Sequence, residues 1–91
     1  MLIPILLYTR QNCPLCAEAE AKLTDFAGRF PLSIESRDVD SAHEWRQTYG
    51  MEVPVVFLGD KKLFRYRIDD AAFEEALLQY MHEAEDSDDH T

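Results

Sequence analysis

The stretch that decides the reading of this chain is YTRQNCPLCAEAEAKL, residues 8–23. It contains both cysteines, Cys13 and Cys16, two residues apart. Ahead of it runs Ile3–Thr9, IPILLYT, a short apolar run that reads as a buried strand. Pro4 lies near the strand's start, where a missing N–H is tolerable. Behind Cys13 stands Pro14, which suits the first position of a helix running to about Ala27 and makes Cys13 the N-cap. Cys16, Ala19, Leu23, Phe26 and Ala27 recur at helical spacing and predict the inner face. Glu18 and Lys22 predict an outward i,i+4 pair, and Gly28 a helix stop.

Placement gives the two cysteines different chemistry. A sulfur at a helix N-cap meets unpaired backbone N–H groups and the positive end of the helix dipole, and both favour thiolate. Arg10, three residues upstream, adds positive charge. Cys16 lies one turn in, aligned with Ala19 and Leu23, and is expected to be the more buried. Cys13 is then the attacking sulfur and Cys16 the one that resolves the mixed disulfide. C-x-x-C after a strand and opening a helix is a stronger redox signal than the spacing alone. A structural zinc site wants four ligands. The chain has no second C-x-x-C, and His43, His82 and His90 lie far off without ligand spacing. No metal site within one chain is expected, and a site shared between two chains stays open as an alternative.

Further along, Leu32–Val39 predicts a second strand with Leu32 and Ile34 inward. Ser41 and Glu44 match a capping box ahead of a short helix, with Ala42, Trp45 and Tyr49 on one side and Gly50 as its stop. Val53–Leu58 predicts a third strand. Gly59-Asp60 suits a II′ turn, glycine first, returning the chain antiparallel over Lys61–Tyr66. Asp69 or Asp70 caps a last helix with the stripe Phe73, Ala76, Leu77, Tyr80 and Ala84. The order is β-α-β-α-β-β-α. It predicts an α/β sandwich with a four-stranded mixed sheet and helices on both faces.

Length and charge bound the function. Ninety-one residues suit one domain, placed at 1–84, with 85–91 an acidic tail expected to be disordered. The formal net charge is −9, from 18 acidic and 9 basic side chains, which disfavours nucleic acid and anionic membrane surfaces. The opening MLIPILLY is short for a signal peptide and lacks its basic flank. No apolar run approaches the ~20 residues of a membrane span. A cytoplasmic monomer is the expectation, and reduced thiols there favour a catalytic or metal-binding pair over a structural disulfide.

Residues Tyr8-Thr9-Arg10-Gln11-Asn12-Cys13-Pro14-Leu15-Cys16 resemble the glutaredoxin pattern Y-[ST]-[KR]-x-x-C-P-x-C, and Val53-Pro54 resembles that family's V-P. The resemblance spans nearly the whole chain and is to the glutaredoxin-like family (DUF836) of the thioredoxin superfamily. It implies a thioredoxin-like fold and dithiol–disulfide exchange, with Cys13 as nucleophile and Cys16 as resolver. Arg10 would stand where glutaredoxins place a basic residue near the glutathione carboxylate. Pro54 would be cis, facing the cysteines, the backbone of Val53 would pair with an extended thiol substrate, and Pro14 would join Arg10, Val53 and Pro54 as the substrate-binding residues. Partners would be thiols or disulfides of a protein or small molecule, with no tightly bound cofactor. One departure counts against glutathione: the Gly-Gly that follows the last strand in glutathione-binding glutaredoxins is replaced here by Phe64-Arg65-Tyr66-Arg67-Ile68, before Asp69-Asp70. Two other functions compete with exchange, a protein-binding platform without turnover and a dimeric carrier of metal or cluster.

Overall fold

In the computed structural model, which describes residues 2–88, the apolar run after Leu2 becomes β1 (Ile3–Thr9), an inner strand of the sheet. It pairs in parallel with β2 (Leu32–Asp38) and antiparallel with β3 (Val55–Leu58), and β3 pairs antiparallel with β4 (Lys61–Arg65). The sheet order is β2-β1-β3-β4. The helices are α1 (Pro14–Ala27), α2 (His43–Tyr49) and α3 (Asp70–Asp88). The element order matches the sequence expectation, with a short 3-10 turn added at Val39–Ser41.

Alternation along β1 divides the core. Ile3, Ile5 and Leu7 share one face, where they meet Ala19, Leu23 and Phe26 of α1 and Phe73 and Leu77 of α3. Tyr8 turns to the other face, among Val39 and Val55, where Trp45 and Tyr49 of α2 cover it. The Tyr8 and Tyr49 rings stack with centroids 4.1 Å apart. Phe73 is fully buried and meets Phe26 edge-on at 4.8 Å. Truncating a ring so placed costs about 3–5 kcal/mol.

Several local expectations are corrected. Ile34 lies beside Ile5 in the parallel register, but β2 is an edge strand and leaves it 40% exposed. Ala27 is exposed at the last residue of α1. The Ser41–Glu44 capping box does not form. The extended residue before α2 is Ala42, which makes no side-chain cap, while the Ser41 hydroxyl donates to the Asp38 carbonyl at 2.6 Å. Glu18 and Lys22 do not pair: Lys22 reaches Asp70 at 2.9 Å, and Glu18 faces Arg67 at 3.8 Å. The third strand begins at Val55 rather than Val53, and the fourth ends at Arg65. Gly59 has φ of 59° at the first central position of the β3–β4 turn, the conformation a II′ turn requires. The backbone of α3 runs on to Asp88, and residues 89–91 of the segment placed as a tail at 85–91 lie outside the described residues.

Candidate active site

The chain leaves β1 at Thr9 and turns through Gln11 and Asn12 into α1. Asn12 takes φ of 58°, a left-handed conformation that asparagine tolerates better than most residues. Cys13 follows in extended backbone as the N-cap, and its Sγ accepts the backbone N–H of Cys16 at 3.2 Å. The Cys13 carbonyl accepts the Ala17 N–H at 3.0 Å. Pro14, exposed, supplies the first helical residue and needs no N–H partner there. Cys13 is half-buried and Cys16 is 2% exposed; both are free thiols. Burial pushes the Cys16 thiol above its ordinary value, and the hydrogen bond with Cys13 adds to this. Thr9 and the Arg10 backbone pull the other way.

Arg10 is engaged by the protein itself. Its Nε and Nη2 donate to the two carboxylate oxygens of Asp40 at 2.9 and 3.1 Å, and its Nη1 donates to the Gly50 carbonyl at 3.0 Å. Arg46 completes the cluster, with Nη2 donating to the Asp40 carbonyl at 3.0 Å. The Arg10 guanidinium holds the Asp40 carboxyl below the usual carboxylate range. Gly50 is buried, and a Cβ there would fall 2.4 Å from the Arg46 carbonyl oxygen and 3.2 Å from Arg10 Nη2. The sequence reading takes Gly50 only as a helix stop and gives Asp40 no role. Asp40 sits in a DVDS turn whose only local signal is capping, and its partner is thirty positions away.

The Val53–Pro54 peptide bond is cis. Pro54 is buried and its carbonyl accepts the Tyr66 N–H at 2.8 Å, with the Glu52 carbonyl on the same N–H at 3.3 Å. The N–H and C=O of Val53 have no backbone partner among the described residues. An open groove of about 510 Å³ borders both cysteines on the β2 side, where Glu20, Ser36 and Asp38 line it.

Residues 4–79 match the glutaredoxin-like domain family (DUF836). The chain belongs to that family. Among solved structures it is similar to protein Ne2328 from Nitrosomonas europaea, determined in solution by NMR. The two are 27% identical with a TM-score of 0.72, over 82% of this chain and 91% of that one. It is also similar to the holo form of glutaredoxin C1 from Populus tremula x tremuloides, with 20% identity and a TM-score of 0.57, over 80% of this chain and 73% of that one. The latter likeness concerns the fold, which is thioredoxin-like.

Within that family frame, the residues after the last strand stand out. Phe64-Arg65-Tyr66-Arg67-Ile68 contains no Gly-Gly, and Tyr66 takes φ of 69° and is 44% exposed. The acidic pair that follows is engaged. Asp69 caps α3, its Oδ1 accepting the Ala72 N–H at 3.0 Å, and Asp70 holds Lys22. Lys22 Nζ also donates to the Ile68 carbonyl at 2.9 Å. Both carboxylates of the acidic pair are thus engaged within the fold. Among the described residues, no three His, Cys, Asp or Glu side chains gather closely enough to hold a metal ion. No helix among them is long and apolar enough to cross a membrane.

Proposed function

We propose that this chain is a dithiol–disulfide oxidoreductase working through Cys13 and Cys16. The observation that carries the reading is the asymmetry of the pair. Cys13 is half-buried at the start of a 14-residue helix and receives an N–H, while Cys16 is shut away one turn further in. A sulfur at a helix start is the accessible nucleophile, and a buried one is protected from outside disulfides.

The thiolate of Cys13 attacks one sulfur of a substrate disulfide. A bond forms between Cys13 Sγ and that sulfur, the substrate S–S bond breaks, and the second substrate sulfur leaves as thiolate. Cys16 then gives up its proton to water and attacks Cys13 Sγ. The mixed disulfide breaks, the remaining substrate thiolate leaves, and a Cys13–Cys16 disulfide closes. Two electrons have passed from the pair to the substrate, and a dithiol, or two monothiols, returns them. Pro14 stiffens the turn between the sulfurs. The unpaired N–H and C=O of Val53 are available to an extended substrate, with Pro54 shaping that loop. Arg10 acts as a positioning residue, since its guanidinium already holds Asp40 and Gly50.

The test is trapping. Incubated with a small model disulfide and analysed by intact mass under non-reducing conditions, Cys16→Ser accumulates the mixed disulfide and Cys13→Ser does not. Exchange surviving in Cys13→Ser, or no adduct on Cys16→Ser, overturns the assignment. The reduction potential of the wild-type pair is expected between roughly −180 and −270 mV, where exchange catalysts lie. A value below about −300 mV belongs to a structural bond instead.

A further inference from the structure

The groove of about 510 Å³ beside the two cysteines has Arg10 as the only cation among its lining residues. A carboxylate near the sulfur of a substrate would have that guanidinium as its partner. The guanidinium is already taken. Asp40 fills its Nε–Nη2 edge with both carboxylate oxygens, at 2.9 and 3.1 Å, and the Gly50 carbonyl takes Nη1 at 3.0 Å. Two parallel N–H bonds to one carboxylate are the way arginine grips an acid, and here the protein supplies the acid itself.

Asp40 is not free to leave. Its carbonyl accepts Arg46 Nη2 at 3.0 Å, its Oδ1 also accepts Arg46 Nε at 3.3 Å, and its backbone N–H donates to Asp38 Oδ1 at 2.8 Å. Arg10 holds its carboxyl below the usual carboxylate range, so Asp40 is charged at neutral pH. A tethered group acts at an effective concentration of about millimolar even on a flexible linker, and Asp40 is held more firmly than that. A substrate carboxylate at lower concentration does not displace it. The other charged residues lining the groove are Glu20 and Asp38, and neither has an ion pair among the described residues. Their sign repels an anion and attracts a cation.

We propose that Asp40 is a specificity-determining residue: by occupying Arg10 it withholds the groove's cation from substrate carboxylates, so the site takes disulfides with neutral or cationic groups beside the sulfur in preference to anionic ones. The proposal rests on the exchange reading above. It is tested with the full chain, reduced, and two probes that differ in one group, dithiodipropionate and its diamide. Second-order rate constants for reduction of each probe are measured, and the acid-to-amide ratio is divided by that of free dithiothreitol. The wild-type ratio is expected below one, and Asp40→Ala is expected to raise it about fivefold, the size of an exposed ion pair. Arg10→Gln added to Asp40→Ala removes that gain. Arg10→Gln alone leaves the wild-type ratio where it is, because Arg10 is closed to the probe, and this arm stands even if Asp40→Ala does not fold. A purely structural role for Asp40 would lower both rates together and leave the ratio unmoved. A wild type that prefers the acid and loses that preference in Arg10→Gln, or an unmoved ratio in folded Asp40→Ala, overturns the proposal while leaving exchange standing. If the wild type does not reduce the diamide at all, the exchange reading is overturned and this one with it.

Discussion

Arg10 donates to both carboxylate oxygens of Asp40, at 2.9 and 3.1 Å, and so ties the segment before Cys13 to the turn before α2. The pairing has a pH signature. Because Arg10 holds the Asp40 carboxyl below the usual range, its stabilisation is complete above that range and is lost as pH falls through the lowered value. Asp40→Asn is expected to be less stable than wild type at neutral pH and to lose less stability on acidification. Thermal midpoints between about pH 3 and 7 read this directly, that window covering the carboxylate range. Parallel curves for the two proteins would show that the pair contributes nothing.

Cys16 gives the opposite sign. Burial raises its thiol above the ordinary value, so the stability it contributes is present below the ordinary thiol range and falls as pH rises through the raised value. Wild type minus Cys16→Ala, compared by thermal melts under reducing conditions from neutral to alkaline pH, is expected to show a difference that shrinks as pH rises. The same proton governs closure of the mixed disulfide, whose rate should climb across that alkaline range. A closure rate independent of pH would mean that Cys16 is not the resolving thiol.

Gly50 has no room for a side chain. A Cβ would lie 2.4 Å from the Arg46 carbonyl oxygen, a backbone atom that cannot swing aside. Gly50→Ala is expected to cost about 1–3 kcal/mol by overpacking. In a chain this short that lowers Tm by roughly 4–24 °C. Since Arg10 Nη2 is the next nearest atom at 3.2 Å, the variant should also slow trapping at Cys13. An unchanged melt would mean that the end of α2 relaxes freely.

Tyr66 is the residue where glycine should be tolerated best. A left-handed conformation costs a non-glycine residue about 1–2 kcal/mol, which glycine relieves and partly returns through its freer unfolded chain. Tyr66→Gly is therefore expected to leave stability unchanged or raise it by up to about 1 kcal/mol. Tyr66→Val, β-branched at positive φ, should lower it by about that amount or more. Denaturant midpoints decide between them. A large loss in Tyr66→Gly would show that the ring packs the fold.

The sequence by itself determined what depends on near neighbours. Pro14 after Cys13 marked the start of α1, glycine first in Gly59-Asp60 marked the hairpin, and the periods of the apolar residues marked strands and helices in the observed order. Such signals are set by backbone geometry within a few residues, so no knowledge of the rest of the molecule is needed to read them. The tertiary structure alone decided which charged and exposed groups meet. Lys22 chose Asp70 over Glu18, and Arg10 found Asp40 and Gly50. Ile34 was left open at a sheet edge, and Tyr66 was turned into the left-handed region by its bonds to the Glu52 and Pro54 carbonyls. Each of these outcomes turns on distances of a few ångströms between elements far apart in the chain. The packing of β1 against both helix layers sets those distances, and no local pattern encodes them.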